Sequence, residues 1–462
     1  MLGHRDEALT LALEQLDATA SLSFEPVRAE ALFQSGRILT LRSTREDIAR
    51  GQEYLEEGTQ VAMGMRHDEL HAELLNFRVL DELRNADTTA RGHELSGRAF
   101  AAIRRIGDRP RLRAEALRHE GLLLAKDGDL KRAEATLQRA LELLDGDEYT
   151  PWLVRAAHLR DRAEILRDQR KYDEARRDFE QVLSMYSRLG STHPHVAHAN
   201  IGLAVLEFRQ GHRQRARELA SAALAIRRQK LGETHALVGA AYLLLANIEL
   251  QSGMLEAAEA SAVSAMKIYQ RVYDASDARL SELYQLIGGV RFHREDYDGA
   301  RAAYKEALAS TIARVGPGHV DAGYAQANLA EVEVALGRHD DALIALADAR
   351  AVFAGNSATS EPLMDAFLAG LRGRALLGKG QAADAIVALE DALTHFDKLD
   401  GDGAPLERAA VHWALAQAHE VVDRMKSKRA REHAHRALSY YRRGGEAGRA
   451  LSDTVLHWLQ SK

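Results

Sequence analysis

Cysteine is absent from the 462 residues. No disulfide framework, thiolate-bound zinc, iron–sulfur cluster or cysteine nucleophile is therefore possible. That absence suits a reducing compartment, and a cytoplasmic location is the expectation. Long apolar runs are missing too: none approaches the ~20 residues that a membrane-spanning helix needs, and the N-terminus lacks a signal-peptide core. Neither sign of charge prevails, with 62 Lys and Arg against 68 Asp and Glu and a formal net charge of −6. Such a balance argues against a chain whose main task is to coat nucleic acid or an anionic membrane. Proline is scarce, seven residues in all. With Ala and Leu abundant, that scarcity predicts helix throughout. What is plentiful is apolar: 46% of residues are hydrophobic, enough to bury a core.

The few prolines are regularly placed. Pro26, Pro110, Pro151, Pro194, Pro317, Pro362 and Pro405 are separated by 84, 41, 43, 123, 45 and 43 residues, all near multiples of one period of about 42. Proline suits the first turn of a helix, where its missing N–H costs nothing. Small residues keep the same beat. Ala204, Ala246, Gly288, Ala330 and Gly373 recur at that interval; Ala216, Ala258, Ala300, Ala342 and Ala385 follow twelve later, and Ala223, Ala265, Ala307, Ala349 and Ala392 seven later again. A small side chain lets two helices approach closely. Gly211, Gly253, Gly337 and Gly380 lie between the first two sets, where a residue past a helix end often takes a positive φ. Each unit therefore reads as helix A, tight turn, helix B and a linker. The beat drifts upstream through Gly121, Gly128, Ala133 and Ala140, then Ala163, Ala175 and Val182, with Gly92, Ala99, Gly51 and Gly58 earlier still. Downstream, Ala430 and Ala437 mark the last helix B, and Leu451, Val455, Trp458 and Leu459 predict a final capping helix.

With aromatics such as Tyr297 and Tyr304 at places 17 and 24 of the unit, this pattern resembles tetratricopeptide repeats. The period of about 42 exceeds the usual ~34. Together with Leu189-Gly190-Ser191-Thr192-His193-Pro194 and Leu231-Gly232-Glu233-Thr234-His235, it resembles the kinesin-light-chain type. Departures are Glu295 in place of a turn glycine and the linkers after Tyr273 and Phe353. More narrowly, the chain is similar to repeat regions appended to bacterial serine/threonine kinases and signalling NTPases. The resemblance implies an all-α, right-handed superhelical solenoid of antiparallel helix pairs, with more than twenty helices and no sheet. The expected organisation is irregular repeats over 1–195, regular repeats over 196–445 and a cap over 446–462. A lone helix B at 4–16 leads to the expectation that the native protein extends upstream.

Chemical motifs are few. Gly373-Arg374-Ala375-Leu376-Leu377-Gly378-Lys379-Gly380 nearly spells a phosphate-binding loop, but Gly380 stands where a hydroxyl must hold magnesium, and no strand precedes it. His4-Arg5-Asp6 opens like a kinase catalytic loop, yet Leu11 occupies the place of the required Asn. His67 and His71 are four apart on one helix face, a zinc-like spacing without an evident third ligand. His193, His195 and His198 straddle a linker and a helix start, which reads as turn geometry. Residues 424–443 hold eight Lys or Arg against Glu432 alone, with Tyr440 and Tyr441 interleaved. This segment reads first as a solvated outer face and second as a dock for an acidic partner. No cofactor, no metal and no catalytic residue is expected.

Function should then lie on the surface made by the A helices. By resemblance to the family, places 2, 5, 9 and 12 of helix A face a groove, which gives Phe208, Leu243, Asn247, Leu250, Phe292, Tyr324, Glu331, Phe367 and Arg374. Exposed apolar residues in a row mark binding surfaces; the alternative of equal weight is that Phe208 and Phe292 pack between neighbouring A helices. Arg160, Glu164 and Arg167 make the same face charged further upstream. The expectation is a non-enzymatic scaffold that receives a protein or peptide partner, as the regulatory or recruiting region of a bacterial signalling protein with a kinase or NTPase domain upstream. The alternative is a sensor solenoid that binds nucleic acid or a small ligand.

Overall fold

The computed structural model describes residues 5–19, 24–41, 45–85, 88–107, 109–146, 150–355, 362–399, 404–423 and 428–461. Among these residues there are twenty-two α-helices and no strand. The chain forms two compact units, Met1–Tyr273 and Asp274–Lys462.

The first unit begins with α1 (Arg5–Thr19) and continues as six helical hairpins. These are α2 (Glu25–Thr40) with α3 (Arg45–Gly64), α4 (Asp68–Asn85) with α5 (Ala90–Arg105), and α6 (Pro110–Lys126) with α7 (Leu130–Asp145). They are followed by α8 (Trp152–Asp168) with α9 (Tyr172–Ser187), α10 (Pro194–Arg209) with α11 (Arg213–Leu231), and α12 (Ala236–Gln251) with α13 (Leu255–Val272). The second unit has four hairpins: α14 (Ala278–His293) with α15 (Tyr297–Val315), α16 (Val320–Ala335) with α17 (His339–Gly355), α18 (Pro362–Gly378) with α19 (Ala382–Phe396), and α20 (Pro405–Asp423) with α21 (Lys428–Arg443). A last helix, α22 (Glu446–Ser461), closes on α21 and places Val455, Trp458 and Leu459 against Ala434, Ala437 and Leu438. Within each unit a hairpin packs on its sequence neighbours, and A helices touch the next A helix from α2 through α12 and from α16 through α20. Such nearest-neighbour stacking makes stability a sum of local terms.

The small residues do what their spacing predicts. All fifteen at the three regular places are buried, and every alanine among them has no exposed surface. Gly288 shows why size matters there: a Cβ would stand 2.6 Å from the Tyr304 ring. The prolines start α6, α10, α18 and α20, whereas Pro151 sits at the N-cap of α8 and Pro317 in the linker before α16. The α16 cap is instead His319, whose Nδ1 accepts the N–H of Asp321 at 3.2 Å. His193 and His235 cap α10 and α12 in the same way, so the linker histidine is a helix start signal. In the aberrant linker after Tyr273, Asp277 takes over, accepting from Arg279 N–H at 2.9 Å.

The A-to-B turns obey backbone geometry rather than residue type. Gly128, Gly211, Gly253, Gly337 and Gly380 have φ between 70° and 87°. Arg170 (φ 63°) and Glu295 (φ 62°) adopt that conformation without being glycine. A side chain in this region costs about 1–2 kcal/mol, partly offset by the extra freedom that glycine gives the unfolded chain. Arg170→Gly and Glu295→Gly are each expected to stabilise the fold by about 0.5–1 kcal/mol, read as a shift of the denaturation midpoint.

Candidate functional site

The A helices of the second unit wall a groove of about 790 Å3. Its lining follows the repeat register. Phe292, Val334 and Leu377 come from the same place on α14, α16 and α18, at intervals of 42 and 43 residues. Glu331, Arg374 and Gln417 come from another shared place on α16, α18 and α20, at intervals of 43. Trp413 adds an aromatic wall, braced edge-on by Trp458 with ring centroids 5.5 Å apart. Two aliphatic side chains at the rim stay wet: Val421 is 61% exposed and Leu451 47%. The His339 ring lies against Gly378, where a Cβ would displace it.

Of the nine residues that the sequence nominates, all are half-buried, neither sealed in the core nor free in solvent. Phe292, Glu331 and Arg374 meet in this groove. Tyr324 and Phe367 pack instead onto the core shared by α16, α17 and α18, and the Tyr324 ring meets Phe353 edge-on at 5.1 Å. Phe292 does both, since its ring also rests on Tyr297 at 5.4 Å. Phe208 and Leu243, Asn247 and Leu250 lie on α10 and α12 of the first unit. The Asn247 amide already donates to the Leu243 carbonyl at 3.1 Å, which leaves its oxygen to accept. Trp413, Gln417 and Val421 are the residues that sequence reasoning missed. Carrying the register one repeat further, from Arg374 to Gln417 and from Gly370 to Trp413, is the signal that finds the first two; Val421 lies one place beyond the groove places and is not found that way.

Glu331 and Arg374 bring opposite charges to the groove lining. Burial pushes the Glu331 carboxyl up, and Arg374 opposes this. The groove thus combines aromatic and aliphatic walls with an acid and a base in its lining.

The charged face of the first unit resolves into ion pairs. Arg160 and Arg118 both bind Asp161, with Arg118 Nη1 2.7 Å from its carboxylate. Arg118 also holds Glu115 at 2.7 Å. Burial would raise the Glu115 pKa, but Arg118 and His119 bring it down to about 2. Glu164 faces His198 at 3.8 Å, and Arg167 pairs with Asp168 at 3.1 Å. These charges answer one another and link A helices of successive hairpins.

Residues 154–229, 201–271 and 279–354 each match the family model described as tetratricopeptide repeat. The matched part of the chain is built of tetratricopeptide repeats. The hairpins outside the matched range repeat the same architecture. Among solved structures, the quorum sensor NprR from B. thuringiensis, in its apo form, shares the fold with a TM-score of 0.56 at 14% identity, over 82% of this chain and 99% of that one. BtubC (BKLC) from P. vanneervenii aligns over 49% of this chain and 92% of its own at 22% identity, with a TM-score of 0.45. A kinesin light chain repeat protein from Podospora anserina aligns over 44% and 97% at 21% identity, with a TM-score of 0.40. No curated protein matches the sequence.

The remaining motifs take structural places within the helical hairpins. Gly373–Gly378 runs inside α18, where backbone N–H groups are spent on helical bonds, so this near-loop cannot cradle a phosphate. His67 Nδ1 accepts the Leu70 N–H at the start of α4, and His71 is buried on the same helix. Among the described residues no group of three or more metal-ligating side chains converges. Among them, too, no helix is long and apolar enough to cross a membrane. His4 and residues 424–427 of the basic segment lie outside the described residues. The rest of that segment forms α21, with Lys428, Arg429, Arg431 and Arg436 exposed.

Proposed function

We propose that this protein is an interaction scaffold whose second-unit groove seats an apolar segment of a protein or peptide partner. The observation that carries this reading is the convergence of Phe292, Val334, Leu377, Trp413 and the wet Val421 around one acid–base pair. Wet aliphatic side chains beside half-buried aromatics are what an occupant would cover, and binding energy concentrates in such anchors. The Glu331–Arg374 pair would fix the register of the bound segment through its backbone or a polar side chain. In the wider setting, the scaffold serves as the regulatory or recruiting region of a bacterial signalling protein in the cytoplasm, alongside an attached kinase or NTPase domain.

The test is affinity for a partner captured by the wild-type chain, measured with groove variants. Val421→Glu puts a charge on an exposed rim position and should weaken binding about thirtyfold, equivalent to ~2 kcal/mol, without loss of thermal stability. Phe292→Ala should weaken it comparably, with some loss of stability because the ring also packs on Tyr297. Lys305→Ala, exposed on α15, is the neutral control. Unchanged affinity in both groove variants would move the binding surface elsewhere.

A further inference from the structure

The B helices of the second unit leave one face to solvent, and its charge reverses along the chain. The buried residues of α17, α19 and α21 pack against the helices that flank each in sequence. At two exposed places of the repeat, α17 carries Asp341 and Asp348, and α19 carries Asp384 and Asp391, 43 residues on. The same two places in α21, 45 residues further, hold Arg429 and Arg436, also exposed. The rest of each helix follows suit. Three acids and no Lys or Arg stand on α19, whereas α21 has six Lys or Arg and Glu432 as its one acid.

These charges are largely unspent within the chain. Asp348, Asp384, Arg429 and Arg436 form no hydrogen bond or ion pair among the described residues. Asp391 faces its helix neighbour His395 at 3.6 Å. Val387, one turn from both Asp384 and Asp391, is 68% exposed, the wettest large apolar side chain among the described residues. The spacing of the two faces also agrees. Asp384 and Asp391 are seven residues apart, as are Arg429 and Arg436, so each pair spans two helical turns, about 10 Å.

We propose that a second copy of this chain docks here, with α19 of each copy lying on α21 of the other about a twofold axis. Such an axis runs the two helices antiparallel. Asp384 then meets Arg436 of the partner subunit while Asp391 meets Arg429 of the partner subunit, and the equal spacing lets both pairs form together. The twofold repeats the contact, which doubles the pairs and closes the dimer. The aliphatic stems of the arginines cover Val387. One exposed ion pair contributes little. Several in register around a covered aliphatic side chain select this partner over a surface of the wrong charge. The proposal does not rest on the groove, whose lining comes mainly from the A helices.

Sedimentation equilibrium of the full chain tests this with two charge-reversed variants, Asp384→Lys with Asp391→Lys, and Arg429→Glu with Arg436→Glu. All these positions are exposed on helices, so circular dichroism and the melting temperature should stay close to the wild-type values. The wild type should be a dimer whose dissociation constant rises about tenfold between about 0.05 M and about 0.5 M salt. Each variant alone should be monomeric where the wild type is dimeric, because like charges then face one another in both contacts. An equimolar mixture of the two variants should regain the dimer, since every base of one meets an acid of the other. A wild type that stays monomeric at its highest soluble concentration, a reversed variant that still dimerises, or a mixture that stays monomeric would each overturn the proposal. So would a monomeric wild type that binds random-sequence DNA through Arg429 and Arg436, which would assign the basic face to a polyanion instead.

Discussion

Replacing Asp161 with alanine is expected to destabilise the first unit by about 3–5 kcal/mol, the usual cost of removing one partner from a buried ion pair. Asp161 is 2% exposed and is the carboxylate on which Arg118 and Arg160 converge. Arg118 is itself 7% exposed. Without Asp161 it keeps Glu115 but loses the partner that ties α6 to α8. Because hairpins stack only on their neighbours, the damage should be local. Amide hydrogen exchange should accelerate through α6–α9 while α14–α21 keep their protection. Asp161→Asn, which retains hydrogen-bond acceptance without the charge, should cost less. A loss under about 1 kcal/mol for the alanine variant would mean that water reaches Arg118 and the pair is not a clamp.

The second large effect is a dependence on pH centred on α20 and α21. His412 Nδ1 and His433 Nδ1 are 3.0 Å apart, so at least one ring must be neutral for a proton to lie between them. His419 stacks on His433 at 5.7 Å, and Tyr440 stacks on His412 at the same separation. Burial, with His433 and the Arg436 and Arg408 guanidinium groups, pushes the His412 pKa down to about 3. Burial and His419, with Arg436 and Arg429 adding to them and Glu432 opposing, push His433 down to about 4. Both pKa values are depressed below an unfolded value of ~6.5, so the unfolded chain binds protons that the folded one refuses. The stabilisation is fully present above pH ~6.5 and drains away as pH falls toward 4. Each ring contributes up to ~1.4 kcal/mol per pH unit in that window, so the pair gives up to ~3 kcal/mol per unit. Urea midpoints of the second unit between pH 7 and 4.5 should show this slope, and His433→Gln should roughly halve it. Ring proton resonances of His412 and His433 that titrate near 6.5 in the folded chain would contradict the assignment.

Much of this architecture is legible in the sequence because close helix packing demands small residues at fixed intervals. Ala204, Ala246, Ala330 and their counterparts twelve and nineteen places later are all fully buried. The groove is legible to a lesser degree. Register alone brings Phe292, Glu331 and Arg374 to one cavity, but it does not distinguish a side chain that reaches solvent from one that turns inward, as Tyr324 and Phe367 do toward Phe353 and its neighbours. Long-range polar pairing is the least legible. Arg118 and Asp161 are 43 residues apart, one repeat, yet no periodic pattern marks a pair that occurs at a single junction.

The groove wall is written one helix at a time, with Phe292, Val334 and Leu377 as successive letters of one line and Glu331, Arg374 and Gln417 as those of another. A gene with this layout can change its recognition surface by recombination. Unequal crossing-over between two repeats adds or deletes a segment of about 42 residues, inserting or removing one letter from each line while leaving the buried alanines of every surviving junction in phase. If the groove seats a partner as proposed, its specificity can change by whole repeats as well as by point substitution, without passing through an unfolded intermediate.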